Sequence, residues 1–236
     1  MSAQSPERRD FADGAALAPA FANWTAALLQ KGVDERGEAV LIVSGGTTPR
    51  RFFAALALRP IDWPRITITL ADERRVPDDS SRSNARLLRE TLLRDRAAAA
   101  QFAPLADSRL PAEQELATAN ARIAALSLPA DLVVLGMGDD GHTASWFPGA
   151  DNLAEAIDPG ARSLVLPMVA PGAPEPRLTL TGRVILRARA LALHIEGADK
   201  LATLARALGE GPIEDMPIRA ALRGAADRLT IFEAGA

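Results

Sequence analysis

The chain contains no cysteine, which excludes disulfides, thiolate catalysis and zinc–thiolate sites outright. Histidine is scarce: the 2 present are His142 and His194, and they are not spaced as a ligand pair, so no metal or other cofactor is expected. No uninterrupted apolar run is long enough to span a bilayer. The N-terminus, MSAQSPERRD, lacks the apolar core of a signal peptide. A cytoplasmic protein with no membrane partner is the resulting expectation. Unbalanced charge is missing too. The 27 cationic and 30 acidic residues leave a net charge of -3, which gives no reason to expect nucleic acid as a partner. Among the 27 cationic residues only Lys31 and Lys200 are lysines. A lysine kept in so arginine-dominated a chain hints at a local need.

What is present describes an ordinary globular protein, with 48% hydrophobic and 24% charged residues. At 236 residues the chain can bury a substantial core. It shows no internal repeat and no linker between independent halves, so a single domain over residues 1–236 is expected. The spacing of Leu17, Phe21, Trp24 and Leu28 predicts an amphipathic helix over 11–30, followed by a polar turn over 31–38. Aliphatic runs predict strands at 39–43, 66–70, 131–135, 163–169, 191–195 and 229–232, with shorter ones near 101–105 and 177–181. Helices are predicted over 50–58, from Asn84 through Leu92, over 112–126 and over 201–208, with shorter helical segments at 150–157 and 184–187. Strands alternating with helices imply an α/β fold, a mostly parallel sheet with helices on both faces.

The chain is organised around DLVVLGMGDDGHTASWFP, Asp131 to Pro148. A buried strand ends there in a glycine-rich turn that carries Asp139, Asp140 and His142, and α/β folds bind ligands where such strands end. Gly136 to Gly141 also matches the dinucleotide-binding pattern G-x-G-x-x-G. Three features disfavour a nicotinamide enzyme. The two positions before the last glycine are both aspartates, which repel a pyrophosphate. Pro148 interrupts any long crossover helix, and the strand at 163–169 ends without a carboxylate for a ribose hydroxyl.

Other strand ends carry polar chemistry. Ser44-Gly45-Gly46-Thr47-Thr48-Pro49 leads into a helix that Thr47 or Thr48 is able to cap, and such a turn makes an anion site from backbone N–H groups. The alternative is a plain, well-capped connection. Asp72-Glu73-Arg74-Arg75 taken alone reads best as a solvated corner, the alternative being a carboxylate and a guanidinium aimed at a phosphorylated hydroxy compound. Lys200, in the first turn of its helix, opposes the helix dipole and is therefore either exposed or offset by a bound anion. His194, mid-strand, reads as a packed structural histidine.

Four segments, SGGTTP at 44–49, DERRVP with Ser83-Asn84, GMGDDGHTASWFP at 136–148 and EGADK at 196–200, together and in this order resemble the 6-phosphogluconolactonases. These belong with glucosamine-6-phosphate deaminases and ribose-5-phosphate isomerases in a Rossmann-like superfamily. The resemblance implies hydrolysis of 6-phospho-D-glucono-1,5-lactone in the oxidative pentose phosphate pathway, by a monomer or weak dimer, with His142 as general base. It implies a phosphate-side loop of Gly45, Gly46, Thr47 and Thr48, with Lys200 on the phosphate and Asp72, Arg74 and Arg177 at the substrate. Asp140 is read as orienting the imidazole or binding a sugar hydroxyl. Backbone N–H groups around Gly138 to Gly141 are one source of oxyanion stabilisation. Trp146 stands where the family commonly has leucine, a change expected in the site wall. An amino-sugar-phosphate deaminase/isomerase is the alternative, but such enzymes typically carry an acidic residue five positions after the histidine, where this chain has Phe147, and D-E-Y in place of Asp72-Glu73-Arg74. A sugar-phosphate-sensing domain of a bacterial regulator is the other alternative, and it lacks here a basic helix-turn-helix ahead of the first strand.

Overall fold

The computed structural model describes residues 5–171 and 173–235. In chain order its first elements are β1 (Glu7–Phe11), α1 (Gly14–Arg36), β2 (Ala39–Val43), α2 (Arg50–Ala57), β3 (Ile66–Leu70) and β4 (Asp72–Arg74). Next come α3 (Asn84–Thr91), β5 (Gln101–Ala103), α4 (Ala112–Ala124), β6 (Leu132–Leu135) and α5 (Leu153–Ala156). The remainder comprises β7 (Val165–Met168), β8 (Arg177–Leu180), α6 (Gly182–Ile185), β9 (Leu191–Glu196), α7 (Ala198–Leu208), α8 (Arg219–Gly224) and β10 (Leu229–Ala234).

A 7-stranded sheet runs in the order β1-β10-β9-β6-β2-β3-β5, and its pairings are all parallel. This is the α/β architecture expected from the alternation of elements and the Rossmann-like fold that the resemblance implies. The uninterrupted runs AVLIV of β2 and LVVL of β6 are buried at every position, as strands covered on both faces must be. From β2 the chain steps outward through β3 to β5, then returns to β6 and steps the other way through β9 to β10. Right-handed crossovers therefore lay α1, α2 and α3 on one face and α4, α7 and α8 on the other. The neighbours β2 and β6 leave the sheet in opposite directions. The crevice at their carboxyl ends is thus the topological switch point, the usual ligand position in open α/β sheets.

The first face is packed by aromatic rings. Phe21 of α1 stacks on Phe52 of α2 at 4.0 Å and on Phe232 of β10 at 4.2 Å. Burying each such ring stabilises the fold by roughly 1.5–3 kcal/mol, and the contact locks α1 and α2 together over the sheet.

Several expectations are corrected. No turn begins at Lys31: α1 runs on to Arg36 and ends at Gly37, whose N–H returns to the Val33 carbonyl at 2.8 Å. Its charges suit the wet side of a helix, and Lys31 pairs with Glu35 one turn on. The polar N-terminus supplies edge strand β1, which no hydrophobic pattern announces; Arg8 meets Glu233 at 2.6 Å. The strand expected at 163–169 does not join the parallel sheet. As β7 it belongs to a 3-stranded antiparallel sheet of order β4-β8-β7, pinned to the end of β3 where the Leu180 N–H donates to the Ala71 carbonyl at 2.8 Å. Helix α8 was not predicted either. Among the described residues no helix is long and apolar enough to cross a membrane.

Candidate active site

The strand-end segments converge on the switch point. Gly45, Gly46, Thr47 and Thr48 after β2, Asp72 and Arg74 of β4, His142 after β6, Arg177 of β8 and Lys200 of α7 all line one cleft of about 270 Å³. Asp140 alone of the expected site residues stands outside that lining.

The turn after β6 is closed on itself. The Gly138 N–H donates to the His142 carbonyl at 2.9 Å and the Gly141 N–H to the Gly138 carbonyl at 3.1 Å. Those N–H groups are therefore committed inside the turn and unavailable to an oxyanion, which corrects part of that expectation. A Cβ at Gly138 would stand 2.1 Å from Nδ1 and Cε1 of His142, so only glycine lets the imidazole lie against the turn. Asp140 Oδ1 accepts from the His142 backbone N–H at 3.0 Å and sits 2.6 Å from its Nδ1. Burial pushes the Asp140 carboxyl up, but the hydrogen bonds from the His142 ring and backbone and the charge of the ring outweigh it, holding the group at about 2. An ionised Asp140 is acceptor-only, so Nδ1 keeps its proton and Nε2 is the nitrogen with a lone pair to use. Of the two roles left open for Asp140, the structure shows contact with the imidazole.

On the β2 side, a Cβ at Gly45 would stand 1.9 Å from Asn84 Oδ1, so the absent side chain lets the loop press against Asn84. The expected threonine cap is not made: Pro49 is the N-cap of α2, with no side-chain hydrogen bond. Among the described residues, the N–H groups of Gly45 to Thr48 donate to no protein acceptor. Donors gathered at a helix N-terminus are what an anion requires. Across the cleft, Lys200 Nζ lies 2.6 Å from Asp139 Oδ1. The cation at the start of α7 is therefore offset by a carboxylate of the β6 turn, a partner that neither expectation for it included. Arg206 of α7 also donates to the Asp139 carbonyl at 2.9 Å.

Residues 72–75 are no solvated corner. Asp72 and Glu73 are buried. Glu73 accepts the backbone N–H groups of Asn84 (2.8 Å), Ala85 (2.7 Å) and Arg74 (2.7 Å), closing the start of α3 beside its N-cap Ser83. Burial pushes its carboxyl up, with those three donors opposing. Asp72 accepts the Ser145 hydroxyl at 2.6 Å and lies 3.6 Å from Arg177 Nη1. Burial draws the Arg177 guanidinium down from its ordinary value, with Asp72 opposing, and its Nε is buried without a partner among the described residues. Arg75 turns away to Glu115 at 2.6 Å, leaving Arg74 and Arg177 as the arginines on the cleft.

Trp146 is not in the cleft wall. It is fully buried, its indole N–H donating to the Leu180 carbonyl at 3.0 Å. Asn84 also lines the cleft, a position that entered the sequence analysis only as part of the resemblance and as the start of a helix, not as a site residue. Its amide donates to the Asp72 carbonyl at 2.9 Å. The cap itself is Ser83, whose hydroxyl accepts the Arg86 N–H at 3.1 Å. His194 is buried, with Nε2 2.9 Å from Glu196, in agreement with a packed structural role.

Residues 12–231 match the family model described as glucosamine-6-phosphate isomerases/6-phosphogluconolactonase. The chain is similar to the 6-phosphogluconolactonase of Rhizobium meliloti, 49% identical over 94% of this chain and 96% of that one. It is 47% identical to the 6-phosphogluconolactonase of Pseudomonas aeruginosa over 83% of this chain and 82% of that one. Its fold is similar to that of a solved 6-phosphogluconolactonase from Shewanella baltica, with a TM-score of 0.94, 39% identity and 99% of both chains covered.

Proposed function

Because the chain belongs to the glucosamine-6-phosphate isomerase/6-phosphogluconolactonase family, we propose that it hydrolyses 6-phospho-D-glucono-1,5-lactone to 6-phosphogluconate in the oxidative pentose phosphate pathway. The observation that carries the mechanism is the Asp140–His142 pair at 2.6 Å, which leaves Nε2 as the basic nitrogen of a residue lining the cleft. Nε2 takes a proton from water as the oxygen bonds to the lactone carbonyl carbon. The tetrahedral oxyanion then collapses, the bond to the ring oxygen breaks, and the imidazolium returns its proton to that oxygen. General base–acid work of this kind contributes roughly 10²–10⁴-fold. No metal is needed.

The rest of the rate comes from positioning. The uncommitted N–H groups of Gly45 to Thr48, the N-terminus of α2 and Lys200 hold the phosphate. Asp72, through its links to Ser145 and Arg177, keeps the opposite wall in place. With two turn N–H groups already engaged, Arg74 and Arg177 are the cations that oppose the oxyanion. The same reading treats the chain as one catalytic domain, working in the cytoplasm as a monomer or weak dimer without a nucleic-acid or membrane partner.

The test is hydrolysis of lactone generated in situ, measured above the spontaneous rate. Wild-type turnover that collapses in His142→Asn supports lactonase and base together. Turnover that survives the substitution removes His142 as base, and absent wild-type turnover overturns the lactonase, sending attention to amino-sugar-phosphate deamination.

A further inference from the structure

Behind His142 and Arg177, both of which line the cleft, stands one ring. Phe147 lies 4.2 Å from the His142 imidazole, centroid to centroid, at an interplanar angle of 34°. The Arg177 guanidinium carbon lies over the same ring, 4.9 Å from its centroid. Phe147 itself is not part of the cleft lining. It reaches both partners because the chain reverses between them: the Trp146 N–H donates to the Thr143 carbonyl at 2.9 Å, and Ala144 adopts a left-handed φ of 48°. That conformation is uncommon for a residue with a Cβ, so the return of Phe147 onto His142 is held by the surrounding structure.

We propose that Phe147 is a positioning residue for the reaction, its ring fixing the tilt of the His142 imidazole and, through Arg177, the placement of the cation opposite the base. Asp140 holds the imidazole at one edge, by Nδ1, and an edge contact alone leaves the ring free to rock about that bond. A flat aromatic neighbour removes this freedom, and an aromatic face attracts both an imidazolium and a guanidinium. The contacts also close on themselves. Arg177 lies beside Asp72, Asp72 accepts from Ser145, and Ser145 belongs to the same turn as Phe147. Base, ring, cation and carboxylate thus form a closed circuit, and a displacement of any member is felt at Nε2. Simple packing is the competing role, but Trp146, fully buried, already fills the interior at this turn, whereas Phe147 is only partly buried.

This inference rests on the lactonase reading, and the experiment separates the two. Phe147→Leu and Phe147→Tyr are compared with wild type for kcat, KM and Tm, and for the ¹⁵N resonances of the imidazole nitrogens. The chain has 2 histidines, so buried His194 serves as an internal reference in the spectra. The expected result for Phe147→Leu is a kcat lower by about 10- to 100-fold, the scale on which small misplacements act. KM should change by less than about threefold, and the His142 nitrogens should lose their distinct protonated and lone-pair signatures while those of His194 stay put. Phe147→Tyr, which keeps the aromatic face, should restore both readouts. Unchanged kcat and unchanged His142 resonances in Phe147→Leu would overturn the proposal. So would a loss that appears equally in the tyrosine variant, or one accompanied by moved His194 resonances and a lowered Tm. A wild type that lacks lactonase activity fails the functional reading, and the spectra then still decide the positioning role.

Discussion

Both histidine–carboxylate pairs have their histidine along the cleft lining, but one ring is partly exposed at its rim and the other is buried beneath it. Each joins a ring nitrogen to a carboxylate two residues away along the chain: Asp140 to Nδ1 of His142 at 2.6 Å, and Glu196 to Nε2 of His194 at 2.9 Å. The His142 side chain is 30% exposed, whereas that of His194 is 2% exposed. His194 meets the rings of Phe21 and Phe52 edge-on, and its Nδ1 is buried without a partner among the described residues. A carboxylate partner alone therefore does not make a general base. What distinguishes His142 is its place on a turn at the switch point, where its side chain is partly exposed on the cleft. His194 lies within a strand, and its surroundings are fixed by packing.

The comparison is broken most severely by removing each ring. His142→Ala should lower kcat by about 10²–10⁴-fold and leave thermal stability nearly unchanged, since the ring is partly exposed; lactone hydrolysis and a melting curve check both. His194→Ala should do the reverse. A cavity beside Phe21 and Phe52 and a carboxylate left without its partner should cost roughly 2–4 kcal/mol in urea unfolding, with kcat of the folded protein within about threefold of wild type.

Exchanging the carboxylates sharpens the contrast. Asp140→Asn replaces the acceptor-only carboxylate by an amide that can also donate, so the proton is no longer held on Nδ1, and should cost about 10²-fold in kcat, with KM little changed. Glu196→Gln should leave kcat within about twofold. Kinetics of the two variants side by side would detect a reversal.

The smallest effect is in pH dependence. The Asp140 carboxyl is lowered from 3.8 to about 2. A depressed carboxyl contributes stability that is present above its unfolded value and lost as pH falls through its folded value. The stability gap between wild type and Asp140→Asn should therefore be constant above about pH 5 and shrink between about pH 4 and pH 2. It should be modest, because the Asp140 side chain is half exposed. Asp140 stays ionised far below neutral pH, so its own protonation adds no step to kcat near neutrality.

Much of this was legible before folding was considered. The runs AVLIV, ITITL and LVVL became β2, β3 and β6 because only strands buried on both faces tolerate unbroken aliphatic sequence. Glycines at 136, 138 and 141 marked a sharp turn at a strand end, and His142 was singled out on it. Edge strand β1 was not legible, since an edge needs no apolar pattern and its partners are 223 and 225 residues away. The helical reach of α1 to Arg36 was missed because charges at helical spacing and charges in a turn look alike over a few residues.

The sequence by itself determined the alternation of elements, the glycine-rich turns at strand ends and the residue types carried on them, because these depend on local periodicity and on which side chains shun water. Only the tertiary structure decided what each charge meets. Asp72 and Glu73 became buried acceptors rather than a wet corner, Lys200 found Asp139, and Arg75 turned away while Arg177 stayed. The reason is physical: the state and use of an ionisable group are set by its desolvation and by charges within a few ångströms, and those neighbours come from other strands.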